Sequence, residues 1–230
     1  MDKHIATLGC SSSGDIVGDS WPVILGKKLG VQVKQFWSNG SGNEGLNIEK
    51  FVHLCQTKPE FIVVGLTAIQ RLTLSFNIVN NEFWRDGSAG NDGNIFNEEF
   101  YYTFNARSNS HNIKNLTGFD WNSDPVLFNA LSSNYNTEFK IFHTLSTYEH
   151  IAKSTGTRVY YFSFHGNVTN LIEKYPQWKE MFPYDKWLFD DADHLIEKSG
   201  LFNRSPCYHW YADAHQWLVN NTALSTLSIK

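Results

Sequence analysis

A hydroxyl-rich run bounded by glycines, Gly9-Cys-Ser-Ser-Ser-Gly14, follows a short apolar stretch, Ile5-Ala-Thr-Leu8. Near the other end, His209-Trp-Tyr-Ala-Asp-Ala-His215 sets two imidazoles six residues apart. Between them lie Gly40-Ser-Gly-Asn43 and Gly65-Leu-Thr67, with Arg71 four residues beyond Thr67. A serine hydroxyl, an imidazole and glycines that let backbone N–H groups approach a ligand are the ingredients of acyl transfer. Each cluster also has a plainer explanation. Ser11 fits a small-residue turn, Gly40 a loop glycine, Asn43 a helix cap and His209 a helix start. Arg71 suits an anionic substrate group or a surface ion pair, and His215 suits core packing.

Other chemistries find less support. His53, His143, His150 and His165 make no compact metal-ligand spacing, and Asp191-Ala-Asp193-His194 reads as an acidic helix face rather than a metal site. The Gly/Ser loop at 9–14 has no P-loop lysine. No metal or organic cofactor is implied. Cys10, Cys55 and Cys207 are odd in number and widely spaced, which favours reduced thiols over a disulfide framework. Cys10 is expected to point away from a site that Ser11 faces, because neighbours on an extended segment alternate.

The elements that must position these residues follow from periodicity. Residues 5–8 read as a buried strand, and residues 31–37, which alternate apolar and polar, as a second one. Ser20 is placed to cap a helix with Pro22 in its first turn and Gly30 at its end. A helix is expected over about 44–56, stopped by Pro59, and a third strand in Phe61-Ile-Val-Val64. Three such units predict a parallel sheet with right-handed crossovers. Residues 77–125, rich in Asn, Gly, Ser and aromatics, break the rhythm and read as an insertion, a lid or an interaction surface. Helical spacing resumes over 126–153, a fourth strand is predicted at 158–164, and helices at 186–199 and 209–221. No linker or internal repeat divides residues 1–230, so a single domain is expected. In such sheets ligands bind beyond the carboxyl ends of the strands, where Ser11, Gly40, Asn43 and Thr67 fall.

The order and spacing of the clusters resemble the SGNH (GDSL-type) hydrolase superfamily, and within it a branch common in tailed phages whose nucleophile motif reads Gly-Cys-Ser. Gly9-Cys10-Ser11 follows the first strand, Ser20-Trp21-Pro22 opens the next helix, and Gly40-Ser-Gly-Asn43-Glu-Gly-Leu46 stands where that branch has Gly-x-Ser-Asn. Gly65-Leu-Thr67 with Arg71, and His209 with His215, complete the series. The resemblance implies a three-layer α/β/α, flavodoxin-like architecture with an open parallel sheet and an aromatic, Asn-rich insertion. It implies a serine esterase acting on an O-acyl ester, with a carbohydrate ester as one substrate class. Ser11 would be nucleophile and His209 general base, with the N–H groups of Ser11 and Gly40 and the Asn43 side chain as oxyanion donors. Thr67 and Arg71 would contact substrate. Gly18-Asp19-Ser20 spells the literal GDS triplet, but no strand precedes it, so Ser11 is preferred over Ser20, Ser12 or Ser13. Two departures stand out. Pro206 occupies the place of the usual Asp three residues before the histidine, leaving Asp190, Asp191 or Asp193 as substitutes, and Thr67 replaces a usual Asn. They support an alternative, a catalytically degenerate SGNH-fold protein that binds or assembles, such as a phage structural or decoration protein.

Composition bounds the partners. With 230 residues, 41% apolar and 18% charged, the chain can bury a substantial core. A net charge of −4 and no basic cluster beyond Lys27-Lys28 argue against nucleic acid. No apolar run approaches a bilayer span and no secretory leader is visible, so a cytoplasmic protein without a membrane partner is expected, or a virion component if phage-encoded. Residues 77–125 are the expected surface for a second copy or a virion partner.

Overall fold

The structure is a computed structural model that describes residues 3–38, 43, 46–67, 71–76, 100–105, 134–206 and 209–229. Five strands form one parallel sheet: β1 (His4–Cys10), β2 (Gln32–Ser38), β3 (Ile62–Leu66), β6 (Val159–Ser163) and β7 (Trp187–Phe189), in the order β2-β1-β3-β6-β7. Every pairing in this sheet is parallel. The order is that of flavodoxin-like doubly wound folds, and its direction of winding reverses between β1 and β3. A separate antiparallel pair joins β4 (Arg71–Phe76) to β5 (Phe100–Asn105).

Strands buried on both faces need apolar residues at consecutive positions, and the inner strands β1, β3 and β6 have them. Ala6, Leu8, Ile62, Val64 and Tyr161 turn to one face, where α2 (Leu46–Gln56) and α3 (Asn134–Thr155) cover them through Phe51, Leu54, Phe142, Leu145 and Tyr148. Ile5, Val63 and Phe162 turn to the other. There α1 (Trp21–Leu29), α5 (Ala192–Ser199) and α6 (Ala212–Asn221) cover them with Trp21, Leu25, Ile196, Leu218 and Val219. The result is the expected α/β/α sandwich with an open parallel sheet. The short helix α4 (Thr169–Lys174) follows β6.

Several boundaries differ from the periodicity reading. The segment predicted as one helix over 186–199 begins with β7, and α5 starts only at Ala192. Here Trp187-Leu-Phe189 joins the sheet edge beside β6, a tertiary pairing that overrides local spacing. Likewise α6 begins at Ala212, so His209 precedes the helix instead of opening it. Arg204 and Trp210 form an antiparallel bridge, and Ser205 N–H donates to the His209 carbonyl at 2.9 Å, holding that segment extended. Of the segment 77–125, only Phe100–Asn105 is described, and 126–133 lies outside the described residues. No helix among the described residues is long and apolar enough to cross a membrane.

Gly26 shows packing overriding helix propensity. It is buried in α1, and a Cβ there would lie 2.2 Å from Val33 Cγ2 and 3.1 Å from the Val31 carbonyl oxygen. Alanine gains about 1 kcal/mol of propensity in an open helix, whereas overpacking costs about 1–3 kcal/mol. Gly26→Ala is therefore expected to lower stability by up to about 2 kcal/mol, read as a reduced urea midpoint at unchanged slope. A midpoint that rises would mean that β2 yields freely to the added methyl.

Candidate active site

The serine loop is built by close packing. β1 ends at Cys10, and Ser11–Ser13 form a single 3₁₀ turn at its carboxyl end. The turn folds back over β1, so that a Cβ on Gly9 would lie 2.1 Å from Ser13 Oγ and 2.7 Å from Ser13 Cβ. Only glycine fits there. Ser13 is buried, and its hydroxyl accepts the Trp21 indole N–H at 3.0 Å. Gly14 lies against the Trp37 ring, which a Cβ would approach to 2.5 Å. The rest of the loop closes on Asp15, whose Oδ1 accepts both the Ser20 N–H at 2.9 Å and the Ser20 hydroxyl at 2.5 Å. Ser20 thus stands at the N-cap position of α1, but its hydroxyl serves Asp15 and makes no cap bond. The serine of the GDS triplet is fully buried.

Asn43 and Thr67 come together. The buried Asn43 amide accepts the Thr67 N–H through Oδ1 at 2.7 Å and donates to the Thr67 carbonyl through Nδ2 at 3.1 Å. Its own carbonyl accepts the Tyr148 hydroxyl at 2.9 Å. Asn43 therefore pairs like a strand residue with the end of β3, and one Nδ2 hydrogen is spent there. Gly40 lies outside the described residues, and Arg71 is described only as the first residue of β4, opposite Asn105.

His209 is half-buried, and its N–H donates to Ser205 Oγ at 3.1 Å. His215, on α6, is buried against Phe164, with ring centroids 6.3 Å apart, and its Nδ1 has no partner among the described residues. Burial lowers its pKa to about 4, so it is neutral. The three candidate substitutes for the missing acid are engaged elsewhere. Asp190 accepts the Val168 N–H at 2.8 Å and the Thr169 hydroxyl at 2.5 Å, and Asp191 caps α5 through the His194 N–H at 3.2 Å.

Asp193 belongs to a cluster that sequence reasoning missed. Ser12 Oγ stands 3.3 Å from His165 Nε2, and His165 Nδ1 stands 3.1 Å from Asp193 Oδ2. Arg204 Nη2 donates to the same oxygen at 2.7 Å and Trp210 Nε1 to Oδ1 at 2.6 Å. The loop after β6 is clamped to the start of α5, since Ser163 Oγ accepts the Asp191 N–H at 2.8 Å and the Asp193 N–H reaches the Phe164 carbonyl at 3.0 Å. Asp191 takes a left-handed conformation at φ 49°, a turn that Asp tolerates better than most residues. Burial alone would lower the His165 pKa, but hydrogen bonds to Asp193 and Cys10 outweigh it and raise the value to about 9. Burial alone would raise that of Asp193, but the bonds from His165, Arg204 and Trp210 bring it to about 2. The Cys10 thiol is buried at the end of β1. The signal for His165 was available, since it directly follows the strong strand signal ending at Phe164 and so falls on the carboxyl edge.

No family model matches the sequence, and no curated protein is similar to it. Among solved structures, the chain is similar to a protein assigned to the G-D-S-L lipolytic family from Desulfitobacterium hafniense DCB-2. The two are 11% identical over 94% of this chain and 95% of that one, with a TM-score of 0.49. It is also similar to TesA, at 14% identity over 95% of each chain and a TM-score of 0.48.

The two shifted histidines set opposite pH dependences. His165 holds its proton more tightly folded than unfolded, so its contribution is whole below its ordinary 6.5 and fades as pH climbs to about 9. His215 resists protonation when folded, so stability falls as pH drops from 6.5 to about 4. The contribution of Asp193 is lost only between 3.8 and about 2. Urea midpoints measured from pH 4 to 9 are expected to peak near pH 6.5, with His165→Gln flattening the alkaline limb and His215→Gln the acid one. A midpoint that keeps rising to pH 9 would show that His165 is not held protonated.

Proposed function

We propose that the protein is an SGNH-type serine hydrolase that cleaves O-acyl esters, with Ser11 as nucleophile and His209 as general base. The observation that carries this reading is the seating of the Ser11–Ser13 turn at the carboxyl end of β1, where the sheet's winding reverses. The Asn43–Thr67 pair ends β3 next to it. The order of these blocks along the chain matches the superfamily the sequence resembles. In the reaction, Ser11 Oγ forms a bond to the carbonyl carbon while the π pair moves onto the carbonyl oxygen, and the serine proton passes to His209. Collapse of the tetrahedral species expels the alkoxide, which takes that proton and leaves as the alcohol. Water then repeats the sequence on the acyl-enzyme and frees the acid. The N–H groups of Ser11 and Gly40 and the second Nδ2 hydrogen of Asn43 hold the oxyanion, while Thr67 and Arg71 contact the rest of the substrate. An O-acyl group on a carbohydrate is the substrate class that the aromatic content and the resemblance suggest. No cofactor takes part.

Pro206, standing where relatives carry the orienting acid, favours a second reading: an inherited fold that binds or assembles without turnover, in a virion for example, through residues 77–125. Hydrolysis of a short-chain p-nitrophenyl ester by the native protein and by Ser11→Ala separates the two. Loss of turnover by about 10³-fold or more in Ser11→Ala supports the hydrolase. Equal inertness of both proteins supports the second reading.

A further inference from the structure

The Ser12–His165–Asp193 chain joins three elements at the edge where the serine turn sits, and the reaction just described uses none of its members. Its connectivity is that of a nucleophile, a base and an orienting acid. The direction of its hydrogen bonds is different. A general base must be unprotonated, but His165 faces the Asp193 carboxylate and the Cys10 thiol, with Arg204 and Glu197 joined beyond Asp193. It therefore keeps its proton up to about pH 9 and donates from both nitrogens, Nδ1–H to Asp193 and Nε2–H to Ser12 Oγ. The Ser12 hydroxyl is half-buried, and its hydrogen bond to His165 occupies its oxygen as acceptor. No other bond uses its proton among the described residues. A hydroxyl that accepts from an imidazolium is a stronger donor in turn. Asn43, meanwhile, has half its donor capacity committed to Thr67.

We propose that Ser12 donates a hydrogen bond to the oxyanion formed at the serine turn, and that His165, anchored by Asp193, polarises the Ser12 hydroxyl from behind. Ser12 touches the reacting group, whereas His165 and Asp193 are positioning residues that act through it. No proton is transferred along the chain: the His165 charge strengthens the Ser12 donor as negative charge develops on the carbonyl oxygen. This inference rests on the reading of the site as an acyl hydrolase.

The test compares kcat and KM on a short-chain p-nitrophenyl ester for the native protein, Ser12→Ala, His165→Ala, His165→Gln and the Ser12→Ala/His165→Ala double variant. Fluorophosphonate labelling reports the nucleophile, and circular dichroism reports folding. Ser12→Ala and His165→Ala are each expected to lower kcat by about 10²- to 10³-fold at little changed KM, the signature of a bond made in the transition state. The double variant is expected to lose no more than either single one, because both act in one chain. His165→Gln keeps a neutral donor and loses less. Native kcat declines above about pH 9, and Ser12→Ala lacks that limb, a readout that loss of structure does not mimic. If Ser12→Ala and His165→Ala retain native kcat while Ser11→Ala is dead, the inference is overturned and the hydrolase stands. Labelling that survives Ser11→Ala and vanishes in Ser12→Ala makes Ser12 the nucleophile and overturns the donor role. A native protein inert to both ester and fluorophosphonate overturns inference and hydrolase together.

Discussion

The backbone at the end of β1 has no room for a side chain at position 9, and much else depends on that constraint. Parallel strands bring their carboxyl ends to one edge, but a chain leaving the sheet's centre normally rises away from it. Here it cannot, because the Ser13 hydroxyl tucks beneath the turn, stands 3.5 Å from where a Cβ on Gly65 would lie, and is fixed by the Trp21 indole. Trp21 in turn meets Phe162 of β6 edge to face, with centroids 5.1 Å apart. The serine turn is thus fixed against β3 and α1, and through Trp21 to β6, by contacts that leave no room for a methyl group at position 9.

The second centre of order is a carboxylate. Taking Asp193 partly out of water is costly unless donors replace the lost hydration, and three do: His165, Arg204 and the Trp210 indole. These donors come from the loop after β6 and from the segment before α6, so one charge pins two otherwise irregular stretches. It also places the Trp210 side chain, and with it the backbone of the preceding His209. Pro206, three residues before His209, carries no charge of its own. Yet a carboxylate still organises this region, one residue further along and through an indole.

The α/β class, four of the five strands of the parallel sheet and the glycine closing α1 were legible because each rests on a short-range signal: an apolar run, a terminator or a cap. β7 was not, since Trp187-Leu-Phe189 becomes a strand only by pairing with β6. The start of α6 was misplaced for a similar reason, as the Arg204–Trp210 bridge outcompetes helix spacing across 209–211. At the site, Asn43 reads from sequence as a helix cap or an oxyanion donor, and its partner, the Thr67 backbone, lies 24 residues away along the chain. His165 went unassigned because it has no motif neighbours. Its partners at positions 12 and 193 come from opposite sides of the sheet order, and only the folded topology brings them together.

Magnitudes decide how far one donor chain can offset a missing acid. Loss of the orienting carboxylate in well-studied serine triads costs about 10⁴ in rate. One well-placed oxyanion donor contributes about 10²–10³. On the proposed reading, even a strong donor at Ser12 therefore leaves the site slower than a complete triad. The two devices also act on different steps. An orienting acid serves proton transfer in both directions, including activation of water for deacylation, whereas an oxyanion donor stabilises the tetrahedral species of each half-reaction without supplying that water. Because the serine in acylation and the water in deacylation each need that proton transfer, a site rich in the second device and poor in the first is slowed in both half-reactions. On the proposed reading these residues then suit slow turnover, a physical middle ground between a fast esterase and a purely binding fold.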